Sequence, residues 1–184
     1  MFRKEQKMIT ETPVYVHGTS TVSVNNSIVY ASSNSTVNVT DNSTVKVTDN
    51  SAVYAYDASV VNAYGKSVIY AYGNSTVNAT DSSTVYAYDN SVVYAYDNSV
   101  VNATDTSTVY ANRNSIVYAY DASVVNAYDQ VIIRNYSALT TITMRGFCVL
   151  IMDNAIKMIV KINKDKTAII QRYNLPPCLE RSKK

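Results

Sequence analysis

Between residues 26 and 129 small or apolar residues return at every second position, and the whole pattern repeats in octets. Ser recurs thirteen times from Ser27 to Ser123 without a miss. Two residues after each Ser stands Val, with Ile69 the single exception. Two further on stands Ala, or Val at Val39 and Val47, and the next even step is usually Asp, or Gly at Gly65 and Gly73. The unit reads N-S-x-V-x-A-x-D, and thirteen copies fill 26–129. The positions between carry Thr or Val, then Tyr or Asn, then Tyr or Thr. Such alternation predicts a strand with one constant and one variable face. The constant face is small and suits a narrow interior; the variable face holds residues that favour strands at a surface. Asp-Asn or Gly-Asn between units marks a bend, because Asn, Asp and Gly tolerate left-handed backbone.

A six-residue strand and a two-residue bend fit either a meander of hairpins or a solenoid. In a two-residue hairpin the residues flanking the turn share a face, so Tyr56 would lie beside Ser59 and no face would be a clean core. In a solenoid like stacks on like, every Val lies inside and the parity never flips. The expected fold is therefore all-β, a parallel β-solenoid of octapeptide repeats. Residues 74–97 match residues 98–121, three octets on, at 19 of 24 positions, and match 90–113, two octets on, at 13. Corners taken in threes agree: Asp57-Ala58, Asp81-Ser82, Asp105-Thr106 and Asp129-Gln130 would share one edge, where residues other than Asn collect. These observations favour a three-sided, 24-residue coil, with thirteen units spanning about 20 Å. The small interior also suits a flat, two-sided, 16-residue coil, which remains the alternative.

The ends depart from the repeat. Residues 1–25, with alternation around Val14, Val16, Val22 and Val24, read as N-terminal cap strands. Residues 130–173 read as a degenerate coil and a capping hairpin. In QVIIRNYS, Ile133 keeps the Val position while Asn135 takes the Ala position. GFCVLIMD (146–153) is expected to point bulkier Phe147, Val149 and Ile151 inward, leaving Cys148 on the variable face. AIKMIVKI, the polar NKDK and TAIIQRY read as two strands and a turn. Residues 174–184 read as a disordered basic tail.

Composition and charge narrow the classes. The chain of 184 residues has 17 Tyr, no Trp and four Gly, a skew that marks a repeat rather than disorder. Its net charge of +2 hides an asymmetry, about −6 over 26–129 and +7 over 130–184. Cys148 and Cys178 have no CxxC spacing, so neither a disulfide framework nor a zinc site is expected. The first residues lack an apolar signal-peptide core, and no apolar run is long enough to span a bilayer, so a cytoplasmic location without membrane contact is expected.

Units of the type NSTVYAYD resemble the octapeptide arrays of β-solenoid proteins from bacteria and phages. The small-Val-small interior is similar to hexapeptide left-handed β-helices, and Thr on alternate positions is similar to insect antifreeze β-helices. The resemblance covers about 26–153 and implies the parallel β-helix architecture, with a virion or host cytoplasm as location if the chain is of phage type. It carries no site residues.

Candidate chemistry is sparse. His17 is the only His, and neither a Gly-rich phosphate loop nor a Ser/His/Asp set is present, so no catalytic residue, metal or cofactor is expected and the chain reads as a non-enzyme. In the 24-residue coil Tyr70, Tyr72, Tyr94, Tyr96, Tyr118 and Tyr120 would form one continuous Tyr face, suited to binding because Tyr offers large amphipathic contact at low entropy cost. Asp57, Asp81, Asp105 and Asp129 would form an acidic ladder, read either as bend caps or as a mimic of a phosphate array that inhibits a nucleic-acid-binding protein. Thr36/Thr40, Thr44/Thr48 and Thr76/Thr80 offer the paired outer Thr that ice binding would need, on three different sides. The leading expectation is a structural or interaction module that presents a Tyr/Asn/Thr surface to a protein partner or to itself. Homo-oligomers through the C-terminal cap strands are included, and nucleic acid is not expected as a partner.

Overall fold

The computed structural model describes residues 13–152, 159–162 and 168–171. The chain enters through β1 (Val14–Val16) and β2 (Thr21–Asn25). The octets then supply one strand each: β3 (Ile28–Ala31), β4 (Thr36–Thr40), β5 (Thr44–Val47), β6 (Ala52–Ala55), β7 (Val60–Ala63), β8 (Val68–Ala71) and β9 (Thr76–Ala79). They continue with β10 (Thr84–Ala87), β11 (Val92–Ala95), β12 (Val100–Ala103), β13 (Thr108–Asn112), β14 (Ile116–Ala119) and β15 (Val124–Tyr128). The C-terminal part adds β16 (Ile132–Asn135), β17 (Thr141–Arg145), β18 (Val149–Met152), β19 (Ile159–Ile162) and β20 (Ala168–Gln171).

The solenoid has two sides, not three. Odd strands β1 to β17 form one parallel sheet, and even strands β2 to β18 form the other. Within the repeat each strand pairs with the next but one, two octets away, as in Val53↔Ile69 and Val93↔Val109. The favoured 24-residue coil is thereby corrected to the 16-residue alternative. At about 4.8 Å per rung the nine strands of the even sheet make the solenoid about 40 Å long, and its thirteen octets alone span about 30 Å, half as much again as the three-sided expectation. The reason lies in volume. Ser, Val and Ala fill the gap between two facing sheets, but a triangular interior would need longer side chains to avoid an axial void. The three-octet similarity is a period of sequence and not of space, since a step of three octets carries a residue one and a half coils on, to the opposite sheet.

Parity is observed throughout the octets. Val93 and Val101 are fully buried, and every Val, Ala and Ser at the constant positions from Ser35 to Val125 is buried with them, while Tyr94 faces outward and is half-buried. Ser is tolerated inside because its hydroxyl turns back on the preceding bend. Ser59 Oγ donates to Tyr56 O at 2.7 Å, and Ser67, Ser83, Ser99 and Ser107 make the same bond three positions back at 2.7–2.8 Å. Ser75, Ser91 and Ser123 have buried hydroxyls without a partner, which nothing in the structure explains.

The corners carry the left-handed residues the bends require. The Asp position has positive φ at every corner of the repeat, from 46° at Asp129 to 69° at Gly65, and Arg113 shares it at 56°. This conformation strains most residues, and Asp and Gly adopt it most readily.

The ends slip in register. β1 and β2 pair with β3 and β4 one position short of two octets, as in Val14↔Val29 and Thr21↔Thr36. β15–β17 and β16–β18 pair one position beyond two octets, as in Val124↔Thr141 and Ile132↔Val149. The extra residue lies in the corner after β16. Asn135, buried at the Ala position, accepts the Ser137 N–H at 3.1 Å and caps that longer corner. Beyond it the count of eights fails, which corrects the expected orientation of the last coil. Leu150 and Met152 occupy the inward positions opposite Ile133 and Asn135, and Phe147, Val149 and Ile151 face outward and are exposed. Cys148 takes the Ser position instead of the variable face, and its Sγ donates to Arg145 O at 3.3 Å just as Ser does. β20 pairs antiparallel with both β17 and β19, closing the odd sheet. The NKDK turn and the basic tail at 174–184 lie outside the described residues.

Narrowness of the core makes a sharp prediction. Ala95→Leu places three extra carbons where Ala79 and Ala111 lie in register, and overpacking is expected to lower the unfolding free energy by about 1–3 kcal/mol. Tyr94→Asn, one residue away on the outer face, is expected to lose about 1 kcal/mol or less, because Asn78 and Asn126 already occupy that position on nearby rungs. Urea unfolding of the two variants measures the contrast.

Candidate interaction surface

Each outward position forms a column along the solenoid axis, because rungs are in register. The Tyr residues expected on one face are divided between two. Tyr70 lies on β8 and Tyr118 on β14 of the even sheet, with Tyr72 and Tyr120 just beyond those strands; Tyr94 lies on β11 of the odd sheet, with Tyr96 just beyond it. The rings that meet are two octets apart in sequence. Tyr54, Tyr70 and Tyr86 stack at 4.7 and 4.9 Å, and Tyr56, Tyr72 and Tyr88 stack beside them at 5.0 and 4.8 Å. These two columns make a patch of six rings on the even sheet. Tyr94 pairs with Tyr110 at 5.1 Å on the odd sheet, and Tyr120 pairs with Tyr136 at 4.9 Å. Tyr54, Tyr56, Tyr86, Tyr88, Tyr110 and Tyr136 were missed by the three-octet reading; a two-octet spacing between tyrosines is the signal that finds them.

Tyr70, Tyr72 and Tyr120 are held above the usual tyrosine range, first by burial against their neighbours and then by repulsion from adjacent phenolates. The face-to-face geometry also hides most ring surface, so the patch presents ring edges and a row of hydroxyls at the rung spacing.

The acidic ladder is likewise divided. Asp57 and Asp105 sit on the edge where the chain passes from the even to the odd sheet, and Asp81 and Asp129 sit on the opposite edge. The width of a sheet, about 20 Å for a six-residue strand, separates the two rows. On each edge several carboxylates are engaged by the corner one coil earlier, though Asp129 is not, because the Arg113 N–H it would need goes to Asn112 Oδ1. Gly65 N–H donates to Asp81 Oδ2 at 3.1 Å, Gly73 to Asp89 at 3.0 Å, and Asp89 to Asp105 at 3.1 Å. Asp57 and Asp121 accept longer bonds of 3.4 Å from Asp41 and Asp105. Stacked like charges are thus relieved by backbone N–H groups, the capping role, with the acceptor reaching across coils rather than to its own bend. Arg113 interrupts one row and bonds Asp97 Oδ1 at 3.0 Å.

The remaining candidates stay apart. Thr36/Thr40 lie on the even sheet, while Thr44/Thr48 and Thr76/Thr80 lie on the odd sheet with Val60 and Tyr64 between them. The three pairs therefore occupy two sides, not three, and form no continuous Thr array. His17, exposed in the first corner, has Nδ1 in hydrogen-bond contact with Ser32 Oγ. Burial pushes the Cys148 thiol up, away from a reactive thiolate. Among the described residues no cluster of three or more His, Cys, Asp and Glu converges. No family model, curated protein or solved structure matches the chain.

Two outcomes test this surface. Asp89→Ala removes the acceptor for Gly73 N–H and puts Ala at a φ of 54°, and is expected to cost about 2–3 kcal/mol in urea unfolding. Asp89→Asn keeps an acceptor and tolerates left-handed backbone, so it should stay closer to the parent. In alkali the sign follows from tighter proton binding in the folded chain. Stability from the Tyr columns is intact below the ordinary value of 10.0 and falls as pH rises through it toward the higher folded values. A spectrophotometric titration should show a late-ionising tyrosine class that joins the main class on unfolding.

Proposed function

We propose that this protein is a non-catalytic interaction scaffold, which docks a protein partner or a second copy of itself on the outer face of the even sheet. The observation that supports this most is the pair of three-ring columns, Tyr54–Tyr70–Tyr86 and Tyr56–Tyr72–Tyr88, side by side on one rigid face. Tyr is enriched at the centres of protein interfaces because its ring is rigid and its hydroxyl tolerates both water and a polar partner. A second copy suits the patch because its own columns repeat at the same rung spacing. The same sheet ends at β18, where Phe147, Val149 and Ile151 are exposed. An outward apolar row beside a terminal strand also favours association between copies at the C-terminal end. The likeness of the octets to arrays of bacterial and phage proteins fits a cytoplasmic or virion setting for such a scaffold.

The test removes rings without disturbing the coil. Tyr54→Asn, Tyr70→Asn and Tyr86→Asn combined use a residue that already stacks at this position, as Asn78 does on Asn62 at 3.1 Å. Sedimentation velocity over a concentration series, with a photo-crosslinker at Tyr56, reads association with copies or partners. The parent is expected to form a complex that the triple variant loses while retaining its β-sheet circular dichroism. A parent that stays monomeric and crosslinks to nothing overturns the proposal.

A further inference from the structure

On the odd sheet the column at the end of each strand does not fill. It runs Tyr64, Thr80, Tyr96, Asn112, Tyr128, so tyrosines come on alternate rungs with a short side chain between them. The opposite edge shows the filled version in Tyr56, Tyr72 and Tyr88, stacked at 5.0 and 4.8 Å. Where Asn112 replaces a ring, a notch of about 220 Å³ opens, lined by Tyr94, Tyr96, Tyr110, Ala111, Asn112 and Tyr128. Asn112 is in register with Tyr128 on the next rung, and Tyr96 stands one rung before it. Tyr96 and Tyr128 are thus two rungs apart, about 9.6 Å, which is twice the centroid spacing of a native Tyr pair such as Tyr72–Tyr88 at 4.8 Å. The neighbouring Tyr94–Tyr110 stack backs the notch.

We infer that this notch is a binding site for a small planar heteroaromatic ring, which slides between Tyr96 and Tyr128 and completes the column. The inserted ring would meet both walls at the spacing the native Tyr pairs keep. Roughly 150 Å³ is already enough to hold benzene in a protein interior, so the space admits a single or fused ring system. Asn112 supplies the polar contact. Its side-chain oxygen accepts the Arg113 N–H at 2.7 Å, which leaves its NH₂ group as donor to a ring nitrogen or carbonyl. The nearest charges come in both signs. Arg113 is paired with Asp97 at 3.0 Å, and Arg145, in register with Tyr128, lies beside Asp129. The mouth is therefore close to neutral, and stacking rather than charge selects the ring. The site lies on the face opposite the six-ring patch, so it stands whether or not a protein docks there.

The experiment is an NMR titration of protein labelled in its tyrosine rings, with adenosine as the probe. Saturable shifts confined to a few Tyr resonances are expected. Asn112→Tyr fills the notch and should abolish the adenosine response without harming the fold, since a filled Tyr column exists on the other edge. Tyr128→Thr removes one wall, with a residue that Thr80 already places in this column, and should weaken binding about tenfold, as the loss of stacking on one face implies. The absence of any saturable shift overturns the inference. So does an Asn112→Tyr variant that binds adenosine as the parent does.

Discussion

In-register parallel stacking is the constraint on which everything else depends. Because each rung lies two octets from the next, a side chain's nearest neighbours along the axis are the residues at its own position in the octet. A preference at one position is thereby multiplied into a column. Inside, this admits only side chains that tolerate copies of themselves at rung spacing in a narrow gap, and Val and Ala do so without polar consequence. Ser does so chiefly because its hydroxyl is discharged locally onto a bend carbonyl, with Ser35 bonding Ser51 on the next rung instead. At the corners the same rule stacks carboxylates, which repel in water and more so where solvent is partly excluded. The fold tolerates them because corners such as those at Gly65 and Gly73 present an N–H to a carboxylate from the next coil. Asp is therefore favoured twice, by its tolerance of positive φ and by its acceptor.

This logic explains what could be read from the sequence and what could not. Parity was legible because inward positions repeat with almost no variation, so burial of Val, Ala and Ser follows from counting. The number of sides was not, and for the same reason: identical inward residues in every octet carry no mark of which octet lies above which. The informative variation is outward, at Tyr, Asn and Thr, where a stronger three-octet match without structural meaning masks the two-octet Tyr spacing that marks the stacked rings. Tyr70 and Tyr94 look equivalent in sequence yet face opposite ways. Interior volume was the better guide. A core whose largest regular residue is Val spans two sheets and leaves no side chain to fill a third direction.

The ends show the limit of counting more plainly. One extra residue in the corner after β16 reverses the parity of everything beyond it, so Phe147, Val149 and Ile151 go out and Cys148 goes in. The mark of that slip is Asn135. A buried amide at an Ala position looks like decay of the repeat, but it needs a hydrogen-bond partner, and the longer corner provides one in the Ser137 N–H. Closure is also uneven. β20 runs antiparallel against β17 and ends the stacking rule on the odd sheet, whereas β18 leaves the even sheet with a parallel terminal strand among the described residues.

A solenoid of this kind separates stability from surface composition more completely than a globular fold does. Substitution of an outward residue changes one cell in a column and leaves the inward ladder untouched, so the surface can vary while the coil persists. Function must then be sought where a column departs from its own rule. Arg113 among aspartates forms the one ion pair among the described residues, and Asn112 beside it opens the Tyr column into a notch. Neither residue is explained by the coil, since Asp and Tyr serve at those positions elsewhere. Their adjacency places a polar donor and two ring faces within one corner, a convergence that the strict repeat by itself cannot produce.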